Sequence, residues 1–120
     1  MAVTYALLIY RIAPPSEPIS ELEERAALAG HRALQKEASA RGDLHLVARL
    51  DDAPTARTVR PRAGAHDVTD GPFIETKEWL VGFYVVDCAD EAEALARARQ
   101  LCPDRSHAVE VRPVIWRRGP

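Results

Sequence analysis

The sequence predicts a single α+β domain in which two helices lie on one side of an antiparallel, ferredoxin-like sheet. Residues 3–10 and 80–86 are two continuous apolar runs, rich in valine and aromatic residues, as central strands are. Two capped segments with helical spacing separate these runs from the other strands. The resulting order, βαββ(β)βαβ, is typical of strands divided by two helices that share one face of a sheet. A chain of 120 residues has the length of one domain.

The first helix is predicted to begin after Ser20, because Glu23 completes a capping box with it. It should continue to about Arg41 and end at Gly42, since glycine readily takes the left-handed conformation that closes a helix. Two adjacent stripes are expected to pack on the sheet, and His31 marks the polar edge of the second. The first stripe is Leu22, Ala26, Ala29, Ala33 and Ala40, and the second is Ala27, His31, Leu34 and Ala38.

The remaining elements follow from alternation and turn residues. Residues 44–50 alternate as a half-buried strand, and residues 55–60 and 66–69 form a small hairpin. A second helix begins after Asp90 and ends before Pro103, and residues 109–112 form the last strand. The core stripe of this helix is Ala94, Leu95, Ala98, Leu101 and Cys102. The domain is therefore predicted to span residues 1–114, followed by a tail of residues 115–120.

The two long strands are apolar on both faces, but the two helices cover only one face of the sheet. A second copy of the chain is expected to cover the other face, which predicts a homodimer with a closed barrel. The formal net charge of −2 argues against a nucleic-acid partner. No apolar run is long enough to cross a membrane, and no signal peptide is recognisable. With only Cys88 and Cys102, both expected to be reduced, a cytoplasmic protein is predicted.

The sequence lacks the motifs that are typical of several classes of chemistry. The four histidines are scattered without a metal-binding spacing, so no metal is predicted. The sequence has no nucleophile elbow, phosphate-binding loop or dinucleotide fingerprint, so no cofactor is predicted either. Proton transfer by ordinary side chains remains the simplest chemistry.

The central segment carries a family resemblance. It is an Asp-Gly-Pro turn followed by charged residues and a strand: Val68-Thr69-Asp70-Gly71-Pro72-Phe73, Glu75-Thr76-Lys77-Glu78 and Gly82-Phe83-Tyr84. These residues resemble the signature of the DGPF family, a branch of the YCII-related proteins. Residues 7–10, 58–60, 93–94 and 110–114 fit the same pattern, so the resemblance covers nearly the whole chain.

The resemblance implies a dimeric α+β barrel and a small enzyme that uses a histidine and an aspartate in a cleft. Barrels of this kind include isomerases, cofactor-free monooxygenases, dehydratases and cyclases. DGPF proteins also occur beside or fused to sigma factors. Kinship of fold by itself transfers no reaction.

His31 and Asp70 are the predicted catalytic residues. An aspartate can hold an imidazole in one tautomer so that its other nitrogen faces a substrate. Asp51 or Asp52 is an alternative to Asp70, which could equally serve its own turn by accepting backbone hydrogen bonds. His31 could equally meet water or a backbone carbonyl at the rim of its helix.

Three residues near the turn are predicted to bind substrate. Lys77 would meet an anion or an enolate, and Phe73 and Trp79 would supply apolar walls. The alternatives are a solvated loop for Lys77 and packing under the loop or at a dimer contact for the two aromatic residues.

Two functions follow from these observations. The first is a cytoplasmic, cofactor-free acid–base enzyme of the isomerase, dehydratase or cyclase type that acts on a small organic molecule. The second is a non-catalytic module that senses a ligand and binds a sigma-factor partner.

Overall fold

A computed structural model describes residues 2–12, 20–72 and 78–119. A four-stranded antiparallel sheet has the order β2-β5-β1-β6, and β3 and β4 form a separate two-stranded sheet. The α+β, ferredoxin-like prediction is therefore confirmed. The elements are β1 (Val3–Ile12), α1 (Glu21–Ala40), β2 (Leu44–Arg49), a 3-10 turn (Ala53–Thr55), β3 (Arg57–Arg62), β4 (Ala65–Asp70), β5 (Glu78–Cys88), α2 (Glu91–Leu101) and β6 (His107–Pro113).

The predicted helix starts are confirmed at the level of individual hydrogen bonds. The Ser20 hydroxyl accepts from the Glu23 backbone N–H at 3.1 Å, and the Asp90 carboxylate accepts from the Glu93 backbone N–H at 2.9 Å. Each contact satisfies one of the unpaired donors at a helix N-terminus. Gly42 follows the cap of α1 with a φ of 72°, the left-handed conformation expected there.

The core lies between the helices and one face of the sheet. Alternate residues of β1 and β5 point into it, because successive side chains of a strand face opposite sides. Leu7, Leu34, Tyr84, Val86 and Leu101 are at most 1% exposed. These residues form the wall against which the candidate site is built.

Only the second predicted stripe of α1 faces the core. Ala27, Leu34 and Ala38 are buried, whereas Leu22 of the first stripe is 77% exposed, so that part of the prediction is wrong. The close approach of Gly30 to the backbone of Gln100 on α2 fixes how α1 is rotated. That rotation turns the first stripe toward solvent and leaves His31 at the edge of the sheet.

The core stripe of α2 differs from the prediction in one important residue. Ala94, Ala98 and Leu101 are buried as expected, but Leu95 is 38% exposed and the guanidinium of Arg97 lies inside. Arg97 donates to Asp43 Oδ2 at 3.0 Å and to the Asp87 carbonyl at 2.6 Å. Because these acceptors meet its charge and its donors, an arginine can occupy a core position.

The opposite side of the four-stranded sheet is called here the open face: Leu8, Tyr10, Leu46, Phe83 and Val85, with Ala6 and Ala48. These side chains are half-buried or exposed, and Leu46 is 49% exposed. Within the single chain the helices bury one face of β1 and β5, and burial of the other face by a second copy stays a prediction. Within the described ranges no helix covers this face.

Candidate active site between helix and sheet

His31 meets the sheet through Tyr84. The Nδ1 atom of His31 lies 2.6 Å from the Tyr84 hydroxyl, and the two rings stack with centroids 5.7 Å apart. His31 reaches this position because it precedes the buried Leu34 by one helical turn. Tyr84 belongs to the buried register of β5. The contact therefore links α1 to the centre of the sheet.

Gln35 determines which way the hydrogen bond between His31 and Tyr84 runs. Its Nε2 donates to the Tyr84 oxygen at 3.0 Å. The Tyr84 hydroxyl proton then has one acceptor among its neighbours, the Nδ1 atom of His31. A neutral imidazole that accepts at Nδ1 carries its own proton at Nε2. His31 is thus set up as a hydrogen-bond donor through Nε2.

The protonation states agree with this arrangement. Burial, and then the neighbouring His107, lowers the pKa of His31. Burial raises the pKa of Tyr84, while the hydrogen bond from Gln35 acts in the opposite direction. At neutral pH His31 is therefore an uncharged imidazole and Tyr84 a protonated phenol.

His107 is the second imidazole of the site, at the start of β6. Its Nδ1 lies 2.7 Å from the hydroxyl of Ser106, which is 2% exposed. The side chain and then the backbone N–H of Ser106 lower the pKa of Asp104 by hydrogen bonding. Either the Ser106 hydroxyl or Nδ1 of His107 can donate in this hydrogen bond, and in both cases Nε2 of His107 is left for another partner. Burial is the main cause that lowers the pKa of His107.

The two imidazoles are both half-buried and both neutral at pH 7, and His107 is the second cause, after burial, that lowers the pKa of His31. A neutral imidazole can donate a proton from one nitrogen and accept one at the other, so each ring has the groups needed for proton transfer.

An apolar groove of about 590 Å³ lies at the same end of β1 and β5 as His107. Among its described lining residues are Tyr10, Leu50, Pro72, Trp79 and Leu80, with Asp51 and Thr55 as polar members. Trp79 pairs with Arg11 across the sheet, and Arg11 pairs with His107. The groove is lined by the cross-strand pair Tyr10 and Leu80, so it opens on the open face of the sheet, whereas Arg11 and His107 point to the helix side.

The predicted partners His31 and Asp70 make different contacts. Asp70 ends β4 with a side chain 89% exposed, and its carboxylate pairs with Arg57 Nε at 3.2 Å. His31 is half-buried and binds Tyr84. Asp70 and His31 share no hydrogen bond or ion pair within the described ranges, so catalysis by Asp70 stays a prediction.

The turn after Asp70 has a clear structural role. Gly71 has a φ of 94°, and its N–H and carbonyl bind Ala56 and the Thr58 hydroxyl. The turn therefore joins the β3–β4 hairpin to the chain that leads into β5. A structural role in the turn was the alternative to catalysis that the sequence indicated for Asp70.

Of the three predicted substrate-binding residues, only Trp79 is among the described residues. Trp79 lines the groove together with Asp51, the aspartate considered in place of Asp70. Phe73 and Lys77 lie outside the described residues. Substrate binding by these three side chains stays a prediction.

A histidine–aspartate pair does exist, but elsewhere. His45 Nε2 lies 2.9 Å from Asp87 Oδ2, and the Thr4 hydroxyl donates to Asp87 Oδ1 at 2.6 Å. The Thr4 hydrogen bond is the largest cause that lowers the pKa of Asp87. These three residues tie β1, β5 and β2 together at one end, so a structural role accounts for the pair.

Sequence reasoning missed Tyr84, Arg11 and His107 as members of a site. Tyr84 stands in an apolar run, where an aromatic ring is expected to be core, and its hydroxyl gave no separate signal. Arg11 and His107 are far apart in the chain and meet only through the pairing of β1 with β6. Their residue types were available signals, since a charged or titratable residue at the end of a buried strand is uncommon.

Residues 2–12, 20–72 and 78–119 contain no group of three or more histidine, cysteine or acidic side chains able to hold a metal ion. No helix in these ranges combines the length and apolarity needed to span a bilayer.

Comparisons with known proteins show which family the chain resembles. The family model described as the YCII-related domain matches residues 3–117. A curated protein of Rhizobium meliloti (strain 1021), named uncharacterized protein R00369, is 40% identical over 112 residues, covering 92% of this chain and 90% of that protein. The match includes both imidazoles and every strand of the four-stranded sheet.

Proposed function

We propose that this chain, which belongs to the YCII-related family, is a small enzyme that moves a proton on an organic substrate with two neutral histidines. The observation that carries the proposal is that Tyr84 binds Nδ1 of His31 and Ser106 binds Nδ1 of His107, which leaves Nε2 of each neutral ring for a substrate. The reaction type is isomerisation, dehydration or cyclisation. Each of these can proceed by proton transfer between side chains and substrate, without a cofactor.

His107 is the base in this scheme. Its lowered pKa keeps it neutral at pH 7, and in this scheme the Ser106 hydroxyl accepts a hydrogen bond from Nδ1, which leaves the lone pair on Nε2. It would take a proton from a carbon next to a carbonyl group, forming an enolate and an imidazolium. Return of that proton to another atom of the substrate would complete an isomerisation and regenerate neutral His107.

His31 stabilises the charge that develops on the carbonyl oxygen. Its Nε2–H would donate a hydrogen bond to the enolate oxygen, which is how a neutral imidazole polarises a carbonyl group. Tyr84 fixes the tautomer by donating to Nδ1. Gln35 in turn fixes the orientation of the Tyr84 hydroxyl. Removal of the polar group of His31, Tyr84 or Gln35 should therefore reduce the stabilisation of the transition state more than it reduces the affinity for the substrate.

The free thiols of Cys88 and Cys102 support a cytoplasmic setting for this enzyme. The Asp-Gly-Pro-Phe segment supports placement in the DGPF branch of the family.

Hydrogen–deuterium exchange tests the proposal without a known substrate. The protein is incubated in D₂O with a panel of small lactones, 2-keto acids and 3-keto acids, and exchange at carbon is followed by proton NMR. We expect catalysed exchange in at least one compound, lowered by roughly 10²–10⁴-fold in His107→Gln and His31→Gln. Tyr84→Phe should lower it less, since the ring keeps its packing and loses only the hydroxyl.

The pH profile has a defined sign. Because the folded pKa of His107 is lowered, the base stays active below the ordinary histidine pKa and is lost only as pH falls through the lowered value. His66→Gln, an exposed histidine of β4, is the matched control. Equal exchange by wild type and both site variants would refute the proposal, and an inert wild type would favour the non-catalytic ligand-sensing module.

We also propose that the open face is covered by a second copy of the chain. Its half-exposed apolar side chains are those of a buried interface rather than of a monomer surface. Light scattering should give about twice the chain mass of 13.3 kDa. Leu46→Lys places a charge on this face and should yield monomers, whereas Leu95→Lys on α2 should not. A wild-type monomer at micromolar concentration would contradict the dimer.

A further inference from the structure

The open face has an apolar groove at one end. The groove, of about 590 Å³, is lined by Tyr10 and Leu80, which pair across β1 and β5, and by Leu50, which follows β2. Asp51 and Glu78 are the charged residues of its described lining, and both are exposed. An apolar groove that carries two carboxylates therefore marks this end of the face.

The C-terminal tail crosses the opposite end of the open face. The Val114 N–H donates to the Thr4 carbonyl of β1 at 2.9 Å. Three residues later, Arg117 Nη2 lies 3.3 Å from Nε2 of His45 on β2, so the tail passes across β5, which lies between β1 and β2. It does so on the open side, because His45 also binds Asp87, whose side chain alternates with the buried residues of β5.

Between these two contacts the tail exposes two large apolar side chains. Ile115 is 100% exposed and Trp116 is 76% exposed. A single exposed apolar residue is ordinary, but these two lie at the end of a face on which Leu46 is itself 49% exposed. Tryptophan is among the residues that contribute most to binding energy at protein–protein interfaces. The tail therefore adds an apolar anchor to the proposed dimer interface.

The strand geometry allows the tail of one copy to meet the groove of another. Thr4 and Tyr10 mark the two ends of β1 on the open face, roughly 20 Å apart. Sheets packed face to face keep their strands within about 30° of a common line, and most dimers have two-fold symmetry. A two-fold axis that crosses the strands midway between these residues places the Thr4 end of each copy over the Tyr10 end of the other. Tail and groove then face each other twice.

The charges favour this antiparallel arrangement over the parallel one. Arg117 and Arg118 follow the apolar pair in the tail. The groove opposite carries Asp51 and Glu78. With the axis along the strands, the two tails would instead overlap and their arginines would lie side by side. Like charges placed together across an interface are costly, whereas opposite charges fix its register.

We propose that the tail of each copy docks in the groove of the other, with Trp116 as the apolar anchor and Arg118 close to Asp51. The inference rests on the proposed dimer and goes beyond it, because it assigns the groove to a segment of the partner and fixes the relative direction of the two chains. It is separate from the proton-transfer chemistry, since His31 and His107 lie on the helix side of the sheet.

Cross-linking between two cysteine variants tests the contact. One protein carries Trp116→Cys and the other carries Thr55→Cys, an exposed residue of the groove, both in a Cys102→Ser background. After the two proteins have exchanged subunits, mild oxidation should give a disulfide-linked dimer with one chain of each, since a disulfide needs Cα atoms within about 7 Å. Val68→Cys, on the exposed hairpin, takes the place of Thr55→Cys as the control and should not cross-link.

The affinity of the dimer gives a second measurement. In analytical ultracentrifugation, Trp116→Ala should raise the dissociation constant of the dimer roughly tenfold or more, because an interface tryptophan is costly to truncate. Leu22→Ala changes a side chain that is 77% exposed on α1 and should leave the constant unchanged. Arg118→Glu should also weaken the dimer, and the added substitution Asp51→Arg should restore part of the affinity.

The outcomes separate the docked tail from the dimer and from the enzyme. A wild-type dimer whose affinity is unchanged in Trp116→Ala would overturn the docked tail while the dimer stands. A disulfide between two Trp116→Cys tails, or equal cross-linking to Thr55→Cys and Val68→Cys, would overturn it as well. A wild-type monomer would overturn the dimer and the docked tail together. Proton exchange by the wild type tests the enzyme in every case, because Trp116 lies outside the helix-side site.

Discussion

Methionine in place of Arg97 should lower the free energy of unfolding by about 3–5 kcal/mol, the usual cost of breaking a buried ion pair from one side. The Arg97 side chain is only 6% exposed, so solvent screens its contacts little. Methionine would fill much of the volume but remove the donor of the Asp87 carbonyl and leave the Asp43 carboxylate only the longer contact with Arg41 Nε at 3.6 Å. Urea unfolding followed by circular dichroism measures the loss.

Two further variants make this prediction specific. Arg99→Met changes an exposed arginine on the same helix and should cost less than about 0.5 kcal/mol. Asp43→Asn combined with Arg97→Met should recover part of the loss, because the uncompensated charge is gone. Equal stability of the Arg97 and Arg99 variants would show that the interior ion pair contributes nothing.

Alanine in place of Gly30 should destabilise the protein by about 1–3 kcal/mol, although alanine is the better helix former. A Cβ atom at Gly30 would overlap the Gln100 carbonyl oxygen, so one helix backbone must move. That movement would disturb the α1–α2 contact and the rotation that aims His31 at Tyr84. The gain in helix propensity, roughly 1 kcal/mol, offsets only part of this cost.

Ala29→Val is the matched control for Gly30→Ala, because Ala29 precedes it in α1 and is exposed. Valine there should cost only the few tenths of a kcal/mol, up to about 0.7, that separate its helix propensity from that of alanine. Thermal and urea unfolding would rank the two variants. A Gly30→Ala protein more stable than wild type would show that the helices separate at little cost.

The sequence predicted the local elements well because their signals are local. Ser20 with Glu23, and Asp90 with Glu93, form the capping contacts that their spacing indicated. The apolar runs became β1 and β5, the two central strands of the sheet. Helix rotation was less predictable, because the contact of Gly30 with Gln100 joins two segments about seventy residues apart. The buried Arg97 was missed for the same reason, since its acceptors lie on β5 and before β2.

The candidate site was predicted only in part. His31 was identified from its place at the polar edge of a helical stripe, and it does contact the sheet. Its expected carboxylate partner was not found in contact with it, and a tyrosine hydroxyl occupies that place. Tyr84 looked like ordinary core, because nothing in a strand pattern reveals where a buried hydroxyl points.

The sequence by itself determined the order of elements, the helix starts and one imidazole of the site. Only the tertiary structure decided which residues lie together at the C-terminal end of β1. A shift of register between Ile9 and Tyr10 brings Arg11 opposite Trp79 rather than the residue that regular pairing would supply. Because side chains alternate along a strand, a one-residue shift changes which of them face the same side. That shift places Trp79, Arg11 and His107 in one row across the sheet.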